Sequence, residues 1–375
     1  MTFVARMIID GCPVLLGDAL ISGPGKNAGV FPTTVCYAAT EEQIAQGSVP
    51  LSLKRKLGLI HGRMAYGWAG RLQVVHEVLN EYLFRVDPSD ICHKTFAGYV
   101  EGLSEATSKE ISLATIFYNS DGSYDLGSFG SDCVELPAGE FGKILLLGTG
   151  KRAFDEFRSI YNYRPMPWVP SELPQDLMNI LGKCGNMMGS LLSNEMLEHT
   201  TLHDNFGGAY ETIFGYKGRL NRMDDIMHYF WSAIVPEEGR LQIQDRPQVG
   251  IHCDYEGETL VVRTYRGVVP DDPRERMLAA TPAHLRDLTP EEFLAIPVPA
   301  FEGSFHHHHV TVTFNKPGYR MFWYGTYGDR VGVEFDSSKN YFNQAPMELT
   351  KYFWADIRSK IFGPRSDRSG RSGIQ

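Results

Sequence analysis

The sequence predicts an α+β protein in which two β-sheets carry helices on their outer faces. Two patterns predict it. Short apolar runs recur in pairs around turn residues, as in β-hairpins. Between those pairs, apolar residues recur at helical spacing. In chain order this gives strands, two helices, strands, two helices and strands again, an order that layers helices outside the sheets. A length of 375 residues allows two domains and ample core.

The first hairpin organises the rest of the chain. Phe3–Ile9 and Pro13–Leu16 flank Asp10-Gly11, the strongest short hairpin signal. Closing it brings Asp18 to within about one residue of Thr2 across the ladder. A turn-rich stretch, Ser22-Gly23-Pro24-Gly25, then opens an insert-like segment that runs to Pro50. Leu57–Ile60 and Met64–Trp68, around His61-Gly62-Arg63, read as a second hairpin that ends in Ala69-Gly70. Leu72, Val75, Val78, Leu79, Tyr82 and Leu83 place a helix immediately after it. Asp87-Pro88-Ser89-Asp90 starts a second helix, with Phe96, Val100 and Leu103 on its apolar face, ending before Ser112.

Leu113–Tyr118 and Tyr124–Phe129 make a third hairpin across Ser120-Asp121-Gly122. Ile144–Leu147 is a continuous apolar run, suited to a strand buried on both faces. Gly148-Thr149-Gly150 ends it and opens a helix over 152–161. Four prolines mark 163–174 as an outer loop, and Asp176–His199 reads as a long helix. Tyr210–Phe214 and Leu220–Asp224, split by Lys217-Gly218, give a fourth hairpin.

In the last third, Val249–Tyr255, Thr259–Tyr265, His306–Phe314, Arg320–Tyr324 and Val331–Phe335 alternate as strands, with a short helix at Leu285–Ile296. His306–His309 alternates on its strand, so His306 with His308, or His307 with His309, shares one face. Such a pair could chelate a metal or sit in a polar or interfacial strand. With no Cys or carboxylate cluster nearby in sequence, the expectation is no metal. Residues 363–375, rich in Arg, Ser and Gly, read as a disordered tail.

Composition narrows the function. Apolar content of 43% with 22% charged residues is ordinary for a globular chain. A formal net charge of −9 argues against a nucleic-acid partner. No apolar run approaches the ~20 residues of a membrane span, and no basic region followed by an apolar core opens the chain. Six cysteines without a CxxC pair suit reduced thiols. The expectation is a cytoplasmic protein with no cofactor and no membrane association.

If Met1 is removed, Thr2 carries a free α-amine and a hydroxyl beside the Asp18 carboxylate. That is a nucleophile with its own general base; the alternative is a solvated Thr on an ordinary edge hairpin. Lys56 is either a partner for Asp18 or a solvated member of the run Lys54-Arg55-Lys56. Thr149 supplies a hydroxyl near the amine or caps a helix. His203 and Asp204 orient the amine or cap a loop.

These motifs, in this order, resemble the proteasome β-subunit and the peptidase of the bacterial two-component ATP-dependent protease, over residues 2–234. Both are N-terminal-nucleophile hydrolases. The family opens with a Thr, a hairpin through a Gly turn, and an Asp sixteen positions after the Thr, the spacing of Thr2 and Asp18. Its Lys lies fourteen residues before the Gly that opens the first helix, which places it on Lys56, counting back from Gly70. Gly148-Thr149-Gly150 resembles the family's Gly-Ser-Gly, and His203-Asp204-Asn205-Phe206-Gly207-Gly208 resembles its Asp-x-x-Ser-Gly-Gly. In the last match Phe206 stands at the Ser and His203 at the Asp, with Asp204 one place out. The segment between Asp18 and Lys56 is also longer than in the family.

The resemblance implies a four-layer αββα sandwich over 1–235, followed by an added α+β extension over 236–362. It implies a threonine-type peptidase or amide hydrolase with Thr2, Asp18, Lys56, Thr149, His203 and Asp204 in the catalytic set and the Gly70 amide as oxyanion donor. It further implies a peptide or protein substrate, a homo-oligomeric ring, and a possible ATPase or other protein partner. The alternative is a non-catalytic scaffold of the same fold that binds a partner through its C-terminal module.

Overall fold

The computed structural model describes residues 2–25, 31–32, 36–37, 39–137, 142–150, 174–197, 199–235, 242–243, 249–266, 276–280, 305–314 and 320–328. The expected helices at 152–161 and 285–296, the strand at 331–335, the tail, and all but the last residue of the 163–174 loop lie outside them.

The first half of the chain carries β1 (Val4–Ile9), β2 (Cys12–Asp18), β3 (Leu20–Gly23), β4 (Phe31–Pro32), β5 (Cys36–Tyr37), α1 (Glu41–Ala45), β6 (Val49–Leu53), β7 (Leu57–Ile60) and β8 (Met64–Gly70). Next come α2 (Leu72–Arg85), α3 (His93–Glu101), α4 (Glu105–Glu110), β9 (Ile111–Tyr118), β10 (Tyr124–Gly130), β11 (Cys133–Pro137) and β12 (Lys143–Leu147). The second half carries α5 (Gln175–Leu197), α6 (Thr200–His203), β13 (Tyr210–Tyr216), β14 (Arg219–Arg222), β15 (Ile226–Val235) and β16 (Gln242–Ile243). It continues with β17 (Val249–Glu256), β18 (Thr259–Arg266), β19 (Arg276–Ala280), β20 (Phe305–Phe314) and β21 (Arg320–Gly328). The fold is mixed α+β, with strands predominating.

Among the described residues, three larger sheets form. The first runs β11-β12-β1-β2-β13-β14, the second β10-β9-β8-β7, and the third β19-β18-β17-β15-β20-β21, with β16 on β15. All four expected hairpins are present. At Asp10-Gly11 and at Lys217-Gly218 both residues have positive φ (48° and 79°; 49° and 75°), so each pair closes a two-residue turn whose twist matches its strands. The β1–β2 register, Val4 opposite Gly17, sets Phe3 against Asp18.

Alternation along the strands separates apolar layers. Val4 and Leu15 of the first sheet meet Leu57, Ala65, Ala114 and Ile116 of the second in one cluster. Tyr66, Trp68, Leu113 and Phe117, on the other face of the second sheet, pack against Val75, Leu79 and Tyr82 of α2 and Phe96 of α3. Phe3, Ala5, Met7 and Ile9 face away from the second sheet toward Leu181, Met188 and Leu192 of α5, and the same cluster takes in Ile251 and Val262 of the third sheet.

Several boundaries differ from expectation. The second helix is split: α3 ends at Gly102, and Ser104 restarts the chain as α4 by accepting the Thr107 N–H at 3.1 Å. Asp87-Pro88-Ser89-Asp90 forms a 3₁₀ turn ahead of α3 instead of its first turn. The third sheet takes its strand β15 from before residue 236, between β17 and β20, and β15 pairs with β20 in parallel. The long helix is described over Gln175–Leu197, and His199, with φ 56°, lies outside it. No helix among the described residues is long and apolar enough to cross a membrane.

The histidine run falls in β20. His307 and His309 are both buried, and their rings stack with the buried His228 of β15, centroids 5.1 and 5.2 Å away. A Cβ on Gly185 or Gly189 of α5 would lie 1.8 Å from His307 or His309, so bare glycines let the helix seat on these rings. Among the described residues, no group of three or more His, Cys, Asp or Glu is arranged to hold a metal ion.

Where the first and third sheets meet, Asp224 is half-buried beside Arg222, its Oδ1 3.7 Å from the guanidinium Nε. Burial outweighs that attraction and pushes its carboxyl up from 3.8 to about 6. Between these pH values the folded chain binds more protons than the unfolded one, so this group lowers stability as pH rises. Asp224→Asn is therefore expected to raise stability at pH 7 by about 3 kcal/mol, with the gain falling to a few tenths of that near pH 4. Urea melts at the two pH values measure it; an equal effect at both would refute the assignment.

Candidate active site

Asp18 ends β2, and the hairpin register makes it the hub of the site. Its backbone N–H donates to the Phe3 carbonyl at 3.0 Å. Its Oδ1 accepts the Phe3 N–H at 2.9 Å, and its Oδ2 accepts those of Leu20 at 3.2 Å and Gly207 at 2.9 Å. Three fixed N–H dipoles thus converge on one fully buried carboxylate.

Lys56 completes the charge. Its Nζ lies 3.3 Å from Asp18 Oδ1, donates to the Leu20 carbonyl at 2.6 Å, and sits 5.4 Å from the Trp68 ring centroid. Both side chains of this pair are fully shielded from solvent. Burial lowers the Lys56 pKa, and the attraction of Asp18 opposes that effect. The solvated reading of Lys54-Arg55-Lys56 is overturned, because all three residues are buried.

Thr2 precedes the residue that Asp18 holds, and it is only 3% exposed. Its carbonyl accepts the Gly150 N–H at 3.2 Å. Gly148 has φ +80°, and a Cβ there would lie 2.1 Å from the Thr2 carbonyl oxygen, so only glycine admits this approach. Thr149 is exposed, and its hydroxyl donates to the Asp204 carbonyl at 3.4 Å, tying the loop after β12 to the loop before β13. The helix it was expected to cap falls outside the described residues.

The other expected residues take different places around this hub. Gly70 ends β8 opposite Ile111, with φ +112°. His203 is exposed, and its carbonyl accepts from the Gln43 side chain at 3.2 Å. Phe206 is buried with its ring 5.5 Å from that of Phe3, so it fills with apolar bulk the place where the Asp-x-x-Ser-Gly-Gly pattern carries a hydroxyl. Thr2, Asp18 and Lys56 adjoin through the residue-3 backbone, and Thr149 is joined to Asp204.

Sequence reasoning missed the bracing. Gln43, from the insert-like segment, bonds the Leu202 carbonyl at 2.8 Å and Asn205 Oδ1 at 2.9 Å, so the insert holds the 202–205 loop. Glu195 of α5 is fully buried and accepts the Gly208 N–H at 2.9 Å. The one available signal was a carboxylate on the Leu- and Met-rich face of a long helix. No protein-family model matches this chain, and no curated protein matches it.

Proposed function

We propose that this chain is an N-terminal threonine hydrolase of the proteasome type, cleaving peptide or other amide bonds within a homo-oligomeric ring. The observation that carries the reading is the dry Asp18–Lys56 pair bonded to the backbone N–H next to Thr2.

With Met1 removed, the Thr2 hydroxyl oxygen attacks the substrate carbonyl carbon, and its proton passes to the Thr2 α-amine. The amine then protonates the departing amine as the C–N bond breaks, leaving an ester on Thr2. Water, deprotonated by the same amine, hydrolyses that ester. A terminal amine has a reference pKa of roughly 7.7–8.0, near working pH. A nearby Lys56 ammonium lowers it further and favours the neutral base. Asp18 keeps Lys56 charged out of water. The Gly70 amide is the oxyanion donor in this reading.

Support for the finer architecture, a four-layer αββα sandwich, comes from the apolar clusters between α2/α3 and the second sheet, between the two sheets, and between the first sheet and α5. The third sheet then straddles the boundary, with β15 from before residue 236 and its other strands from the added extension. A protein substrate, an ATPase or other partner, and a cytoplasmic setting belong to the same proposal.

The second reading is a non-catalytic scaffold, favoured by Phe206 on Phe3. Protein with Met1 removed, assayed on a fluorogenic peptide panel, separates the two. Thr2→Ala is expected to abolish turnover while leaving the unfolding midpoint near that of the wild type. Hydrolysis by Thr2→Ala at the wild-type rate would remove the hydrolase reading.

A further inference from the structure

Beside the Asp18–Lys56 pair lies a second buried pair built on the neighbouring residue of each partner strand. Glu211 of β13 faces Gly17 in the ladder, and Tyr210 faces Asp18. Arg55 precedes Lys56, and its Nε donates to Glu211 Oε2 at 2.7 Å, with both side chains fully buried. Glu211 Oε1 accepts the Leu57 N–H at 2.8 Å. One carboxylate therefore grips the residue before Lys56 through its guanidinium and the residue after it through its backbone.

The carbonyls on this segment are fixed as well. The Trp68 indole donates to the Arg55 carbonyl at 3.0 Å, and the Trp68 N–H donates to that of Lys56 at 3.0 Å.

The third sheet supplies the far side of the grip. The Tyr255 hydroxyl donates to Glu211 Oε2 at 3.0 Å. Two guanidiniums pack on its ring, that of Arg55 4.8 Å and that of Arg222 4.6 Å from the centroid. Arg55 Nη1 donates to the Glu258 carbonyl at 2.8 Å and lies 3.2 Å from its carboxylate, in the turn between β17 and β18. Arg222 reaches the same carboxylate at 2.9 Å. An isolated Arg55–Glu211 pair would be a poor source of stability, since burying both charges costs about what their attraction returns. Retaining it where it brackets Lys56 assigns it a geometric role.

We propose that Glu211 is a positioning residue for Lys56, and that with Arg55 and Tyr255 it makes the third sheet part of the active-site frame. This rests on the threonine-hydrolase reading for its kinetic consequence. Its geometric content, that Glu211 and Tyr255 fix where the Lys56 ammonium sits, stands independently. Holding that ammonium at one distance from the Thr2 amine holds the amine's pKa. Loosening the clamp lets Lys56 drift and the amine regain its ordinary basicity, so the acid limb of the rate profile moves to higher pH.

The test uses the full chain with Met1 removed, in three forms: wild type, Glu211→Gln and Tyr255→Phe. Tyr255→Phe keeps the ring on both guanidiniums and removes only the hydroxyl to Glu211, so it remains informative if Glu211→Gln does not fold. Peptide hydrolysis gives kcat, KM and the pH profile of kcat/KM. Lysine side-chain NMR in a Thr2→Ala background reads the Lys56 Nζ environment without any activity. The expected result is a kcat lowered about tenfold with KM within about twofold, an acid limb raised by about half a pH unit or more, and a shifted Lys56 signal. A folded Tyr255→Phe with the wild-type pH profile and an unmoved Lys56 signal would overturn the proposal. If the wild type hydrolyses nothing, the hydrolase reading fails, and the Lys56 signal alone decides the positioning role.

Discussion

Asp18→Ala is expected to destabilise the fold by about 3–5 kcal/mol, the range for breaking a buried ion pair from one side, and, on the proposed threonine-hydrolase reading, to abolish hydrolysis. The substitution leaves the Lys56 ammonium fully buried with the Leu20 carbonyl still accepting from it at 2.6 Å. It also strips an acceptor from the N–H groups of Phe3, Leu20 and Gly207. Because these donors come from the chain start, the strand after β2 and the loop before β13, their loss loosens the frame around Thr2. Lys56→Met added to Asp18→Ala is expected to recover part of the loss, since it withdraws the stranded charge and keeps apolar bulk on Trp68. Urea denaturation of the two variants and the wild type measures both steps. Wild-type stability in Asp18→Ala would mean that the carboxylate does not hold this site together.

The hub was legible because it is local. Asp10-Gly11 between apolar runs sets a two-residue turn, the turn sets the register, and the register delivers Asp18 to Phe3. Lys56 was only half legible. Three consecutive cations read by themselves as a solvated run, and the two fully buried ones, Lys56 and Arg55, are paired with Asp18 and Glu211, which lie 38 and 155 positions away from Lys56. No composition window reports such pairs. The same limit hid β15, whose parallel partner β20 starts at Phe305; parallel pairing has no short connecting turn to announce it. Cys133–Pro137 went unread as a strand because it is short, carries a proline and sits at the sheet edge, where a missing N–H is tolerated. The split of the second helix at Gly102 was visible as Gly followed by a capping Ser, and there the apolar spacing of Phe96, Val100 and Leu103 outweighed it.

Acid is expected to weaken the junction between α5 and the third sheet through His228. Complete burial lowers its pKa from 6.5 to about 3. Its Nδ1 is 2.9 Å from His309 Nε2, so one neutral ring donates to the other, and the surrounding rings are those of His307, His309 and Phe230. Above pH 6.5 neither state protonates this group, and it contributes no pH dependence. As pH falls below that, the unfolded chain takes up a proton that the folded chain refuses, so stability drops by about 1.4 kcal/mol per pH unit. Once the pH has fallen past about 3 the loss from this residue is on the order of 5 kcal/mol. His228→Asn keeps a hydrogen-bonding amide at the Nδ1 position toward His309 and cannot titrate. It is therefore expected to be less stable than the wild type at pH 7.5, yet to lose roughly 2 kcal/mol less between pH 6.5 and pH 5. Guanidinium melts at those three pH values give the slopes directly. Parallel slopes for the two proteins would show that His228 takes up its proton in the folded state, and that the stacked rings open locally to admit it.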